Sequence, residues 1–163
     1  MQRMRHVGRQ CDMNYKTFWI GFGSAILFLL YGGSAAATEG SSAEAVLRKT
    51  ETFALGGVGV AGTMSEGERA LRDVLKNADA TARLEKLLSS ASPAGQLYAL
   101  LALRIRDRAG YERALEKLRK TDAKVETARG CMLQEESFRD LVKQIEHGQY
   151  DNFLAREWPE RAR

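Results

Sequence analysis

The chain has 163 residues, 44% of them hydrophobic and 28% charged, and a formal net charge of +4. That length leaves room for one compact domain plus an N-terminal segment, and none for a second core. Arg3, Arg5, Arg9 and Lys16 against Asp12 place +3 of the charge in the first 37 residues and leave +1 for the rest. A nucleic-acid or polyanion binder needs its basic excess on the folded domain, so this balance argues against that class.

Residues 1–37 have the pattern of an export signal. Lys16 precedes Thr17–Tyr31, a run without charge, and Gly32-Gly33-Ser34-Ala35-Ala36-Ala37 follow as the small residues a signal peptidase accepts. Cleavage is expected after Ala36 or Ala37, and Met13 is an alternative start. The competing reading is an uncleaved anchor, because the run approaches the ~17–25 residues that span a bilayer. The expected location is therefore the periplasm or the extracellular space, or the inner membrane if the segment is retained. Contact with a membrane is expected through this segment alone. No Cys follows the apolar run, which argues against a lipid-modified N-terminus at that point.

Residues 38–51 read as a polar spacer with a short helix over Ala43–Lys49. The composition changes at Thr52–Thr63, where Gly56, Gly57, Gly59 and Gly62 alternate with apolar residues. Such glycine density is costly in a helix and favours extended chain or a tight turn. Ser65 and Glu68 have the spacing of a capping box, and Leu71, Val74 and Leu75 give the helix after them an apolar stripe. Asp79 is placed to cap the next helix, striped by Leu84, Leu87 and Leu88.

Ser92–Arg108 is the most apolar stretch. Leu97–Leu103 are apolar or Tyr throughout, the composition of a central helix, with Ser92 as cap and Pro93 at its first position. Arg104, Arg106 and Arg108 suit the negative end of its dipole, and Ala109-Gly110 read as its break. Tyr111, Ala114, Leu115 and Leu118 mark a further helix. The helical period disappears over Thr121–Gln134, where extended chain is expected to pair with the glycine segment as a two-stranded ribbon. Phe138, Leu141, Val142 and Ile145 form a last helix ended by Gly148. Residues 52–150 thus predict a mainly α domain, either a small helical bundle or two stacked helical hairpins, with a short β ribbon. Residues 151–163 read as a charged tail.

Reactive side chains are few. Once the signal is set aside Cys131 is the one thiol, and burial is expected for it because free Cys is among the most buried residue types. His147 suits a helix C-terminus. Glu135-Glu136 read as negative charge at a helix start, and Ser65 and Ser137 as caps. No His, Cys or carboxylate set has metal-ligand spacing, so neither a metal nor a cofactor is expected. The glycine segment lacks the Gly-Lys-Ser/Thr ending of a phosphate loop, yet exposed amides before a helix can hold an anion. Gly56, Gly57, Gly59, Gly62 and Cys131 are therefore the candidate ligand-binding residues.

The stretches GGVGVAGTMSEGE, SPAGQLYALLALR and Arg129-Gly130-Cys131 together resemble a family of short exported bacterial proteins named after a component of a microcin-production gene cluster. The resemblance covers about Phe53–Asp151. It implies an exported protein with no catalytic residues to carry over. Relatives often have a Cys in the central helix where this chain has Ala99, Leu100 and Leu101, a departure that leaves Cys131 without that partner. The leading expectation is a non-enzymatic, exported domain that binds another, unidentified protein of the bacterial envelope. The alternatives are a small enzyme or ligand binder centred on Gly56–Gly62 with Cys131, and an accessory protein in bacteriocin export or immunity.

Overall fold

The first helix begins at the end of the predicted export signal and is anchored by two residues one turn apart. The computed structural model of the chain describes residues 37–153, so the expected signal, apart from Ala37, and the tail beyond Phe153 lie outside the described residues. Helix α1 (Ala37–Lys49) buries Ala43 and Leu47. It is longer than the short helix expected from Ala43. Glu44 accepts from Arg48 of the same helix at 3.0 Å and ties α1 to a neighbouring helix by accepting from Arg83 at 3.0 Å.

Helix α2 (Glu66–Lys76), α3 (Ala80–Ser90), α4 (Pro93–Arg106) and α5 (Arg108–Leu118) follow with short connections. The mainly α architecture with a small β component is the one the periodicity predicts. Helix α2 packs more closely on α1 than on α3, and α3 more closely on α4 than on α2. The helices thus form one bundle around α4. Within α4, Ala94, Gly95 and every residue from Leu97 to Leu103 are buried. Each fully buried Leu contributes about 1.5–3 kcal/mol relative to exposure.

Two helix boundaries differ from expectation. The break between α4 and α5 falls at Asp107, whose extended backbone (φ −147°, ψ 96°) ends one helix and starts the next. Arg108 therefore opens α5 and pairs with Glu112 at 2.8 Å. Asp79 precedes α3 but makes no side-chain cap, because its carboxylate accepts from Arg83 Nε at 2.8 Å. That guanidinium holds the Asp79 carboxyl below the usual carboxylate range.

Beyond α5, strands β4 (Lys124–Arg129) and β5 (Met132–Ser137) form a hairpin. Gly130, with φ +57°, takes the first turn position, where a primed turn favours glycine. Strand β1 (Thr52–Phe53) pairs in parallel with β4, giving the sheet order β1-β4-β5. The ribbon therefore has three strands rather than two. Glu135 and Glu136 lie in β5 and not at a helix start, with Glu135 salt-bridged to Lys124 at 2.5 Å. Helix α6 (Phe138–Glu146) packs Phe138, Leu141, Val142 and Ile145 into the core and has His147 as its C-cap. Ser137 makes no side-chain cap there, and the Phe138 amide donates instead to Ala123 O at 2.8 Å. Gly148, at φ +74°, follows as expected.

The C-terminal end of α1 lies against the N-terminal end of α4 with no space for a side chain at Gly95. A Cβ there would lie 1.9 Å from the Leu47 carbonyl oxygen. The Ser92 amide donates to Arg48 O at 3.0 Å, and the Ser92 hydroxyl donates to Thr50 O while accepting from the Gly95 amide. Gly95→Ala should therefore displace α1 and lower stability by about 1–3 kcal/mol. Urea unfolding checks this, with Ala82→Ser on exposed α3 surface expected to leave the midpoint unchanged.

Candidate functional site

The glycine segment is a small β hairpin held down by three side chains from the helices. Strand β2 (Gly57–Val58) pairs antiparallel with β3 (Thr63–Met64). The connecting turn, Gly59–Gly62, is closed by the Gly62 amide donating to Gly59 O at 3.1 Å. The strands approach so closely that a Cβ at Gly57 would lie 2.9 Å from Gly62 O.

Ala54, immediately after β1, is buried, and its backbone groups must be paired within the protein. The Tyr98 hydroxyl on α4 meets both. It accepts from the Ala54 amide at 2.9 Å and donates to the Ala54 carbonyl at 2.7 Å. In effect one phenol replaces a neighbouring strand. The Ser65 hydroxyl donates to the same carbonyl at 2.8 Å and accepts from the Glu68 amide at 3.1 Å. Burial pushes the Tyr98 hydroxyl above its ordinary pKa, so it remains a neutral donor.

The capping box forms by halves. Ser65 caps α2 as expected, but the Glu68 carboxylate does not return to the Ser65 amide. Glu68 is 1% exposed. Its Oε2 accepts from the Gly56 amide at 2.7 Å, and its Oε1 from Arg72 Nη2 at 2.6 Å. The chain thus supplies its own anion to the start of the glycine segment.

The structure brings the candidate glycines and Cys131 to one end of the molecule. A parallel bridge joins Val58 to Gly130, and the Gly59 amide donates to Gly130 O at 2.8 Å. Gly56, Gly59 and Gly62 therefore spend their amides on partners within the chain. Cys131, at the β4–β5 turn, is exposed and not buried as expected. A two-residue turn at the end of a hairpin projects beyond the sheet, and that placement overrides the usual preference of free Cys for the interior. Around it Val60 is 97% exposed, Leu133 65% and Met132 62%. His147 is exposed at its C-cap position. Among the described residues no group of three His, Cys, Asp or Glu could hold a metal ion.

A cleft of about 240 Å³ adjoins this end, lined by Phe53, Leu55, Thr127, Ala128, Arg129, Gln149, Tyr150 and Phe153. Phe53 meets Tyr98 edge-on at 4.9 Å and Tyr150 at 5.6 Å. Tyr150 and Phe153 thus pack as walls of the domain, where the sequence places Tyr150 at its edge and Phe153 in a charged tail. The aromatic spacing after Gly148 is the signal that could have found them. Behind the cleft, Glu136 accepts from Thr127 at 2.8 Å and from Gln144 at 2.9 Å. Gln144 in turn accepts from Tyr150 at 2.9 Å and from Arg129 at 3.2 Å. Burial raises the Tyr150 hydroxyl above its usual pKa, partly opposed by the Arg129 charge.

No protein-family model, curated protein or solved structure matches the chain. Among the described residues no helix is long and apolar enough to cross a membrane.

The exposed turn predicts a freely reactive thiol. In a Cys11→Ser chain, one equivalent should react with a disulfide reagent in the folded state as fast as in denaturant, within about threefold. A thiol that reacts only after unfolding would contradict its place at the hairpin end.

Proposed function

We propose that the chain is an exported, non-enzymatic helical domain that binds another protein of the bacterial envelope through the end where its two hairpins meet. The observation that carries this reading is the exposure of Val60, Met132 and Leu133 together at that end. Large apolar side chains held in water by well-paired backbone forgo burial worth about 1.5–3 kcal/mol each, which a partner surface can recover. The bridge between Val58 and Gly130 joins the two hairpins at this end, with Met132 and Leu133 on opposite faces of β5, so the end is ordered before a partner arrives. Export rests on the residue pattern of the N-terminal 37 residues and on the resemblance to exported bacterial proteins. The enzyme alternative has less support, since the amides of Gly56, Gly59 and Gly62 are occupied and, among the described residues, His147 stands apart at the α6 C-cap rather than beside Cys131 in sequence.

A photo-crosslinking side chain placed at Met132 in cells tests the proposal. A discrete adduct with an envelope protein is expected from Met132 and not from exposed Lys86 on α3. Val60→Ser combined with Leu133→Ser should reduce that adduct several-fold without changing the melting temperature. Identical adducts from both positions, or none from Met132, would refute it.

A further inference from the structure

We infer that the cleft beside Arg129 is where the partner is anchored, and that its anchor is one aromatic side chain next to a carboxylate. This rests on the docking role proposed for the hairpin end and specifies its chemistry. Three features of the cleft lead to it.

The first is size. At about 240 Å³ the cleft is smaller than the roughly 300–1,000 Å³ of sites for drug-sized ligands, and it suits a single ring-bearing side chain. The second is its lining. Phe53, Leu55, Tyr150 and Phe153 supply apolar walls, and the edge-on contact of Phe53 with Tyr150 fixes two of them. An aromatic guest meets ring faces and edges in the offset and edge-to-face arrangements that rings prefer. Because the walls are packed beforehand, binding does not have to order them.

The third feature is charge. Arg129 stands in the lining with a side chain 62% exposed. Its guanidinium is steadied by long contacts from Nη2 to Glu136 at 3.4 Å and Gln144 at 3.2 Å and by the neighbouring Tyr150 hydroxyl. A guanidinium carries five N–H donors in a planar fork, so these partners leave donors of the exposed Arg129 side chain for a carboxylate. Glu136 does not compete strongly for it, since that carboxylate already accepts from Thr127 and Gln144 at shorter distances.

The cleft is also continuous with the exposed end. Met132 is directly opposite Arg129 in the β4–β5 ladder. Side chains alternate along a strand, so Met132, Arg129 and Thr127 share one face of the sheet. A partner segment whose ring enters the cleft can therefore lay its carboxylate on Arg129 and its next residues along Met132. The hairpin end and the cleft then form one footprint.

The probe is N-acetylphenylalanine, with its neutral amide as the comparison, titrated into the full chain and followed by amide chemical shifts. The acid should give saturable shifts at Thr127, Arg129, Tyr150 and Phe153, and bind roughly three- to tenfold more tightly than the amide. Arg129→Gln should remove that preference and Arg129→Lys retain part of it, both without loss of thermal stability. Phe153→Ala should weaken acid and amide alike. Absence of saturable shifts at these residues, or equal affinity for acid and amide in the unmodified chain, overturns the inference. If the Met132 crosslink persists in that case, the anchor chemistry is wrong and the docking role stands. Loss of both removes both.

Discussion

The two hydrogen bonds between the Tyr98 hydroxyl and the backbone of Ala54 are the constraint on which the exposed end depends. Ala54 stands where the chain leaves the sheet and enters the glycine hairpin. It is buried and has no neighbouring strand on that side, so without Tyr98 its amide would be left unpaired at a cost of about 1–3 kcal/mol, and its carbonyl would keep only the Ser65 hydroxyl. A phenol on the central helix meets both, and Ser65 and Glu68 at the start of α2 fix the residues around it. The most irregular segment of the protein is thereby fastened to its most regular one. A glycine hairpin on its own is marginal in water. Fastened in this way, it becomes a platform from which Val60 is held out beside the β4–β5 turn.

Much of this was legible in the residues because it follows from period and capping. The apolar run of Leu97–Leu103 could only be a central helix, the stripes of α2, α3, α5 and α6 have helical spacing, and Ser65 and Ser92 cap where they should. The glycine segment and the stretch after Thr121 were recognisable as extended chain for the same reason, the loss of that period. What one sequence does not carry is which distant groups meet. Tyr98 reads as one more member of an apolar run, and its hydroxyl matters only because the fold brings Ala54 to it. Glu68 reads as a local cap, yet its carboxylate goes to Gly56 from across the loop. Arg104 reads as a dipole partner, yet its guanidinium forms two bonds to Asp151 at 3.0 Å and lies over the Tyr111 ring.

The candidate site was legible in part. The glycines and Cys131 do come together, through the bridge between Val58 and Gly130. Their roles differ from those that glycine content suggests. The amides close hairpins and hold an internal carboxylate, and Cys131 projects into solvent at a turn. Its exposure follows from topology, because a thiol at the end of a hairpin has no neighbouring element to cover it. The aromatic cleft was hidden because its walls come from β1, β4 and the residues after α6, three places whose proximity depends on the parallel pairing of β1 with β4. A surface assembled from separate segments and supported by buried hydrogen bonds is suited to recognition, which needs fixed shape more than reactive groups.

The central claim is that this surface is kept in place by Tyr98. Amide hydrogen exchange in Tyr98→Phe tests it most directly, since the substitution removes the hydroxyl and leaves the ring. The account predicts that the amides of Ala54, Gly56 and Gly59 lose protection by about tenfold or more, while those in the middle of α4 and α6 lose far less. Unchanged protection at Ala54 and Gly56, or an equal loss throughout the domain, would contradict it.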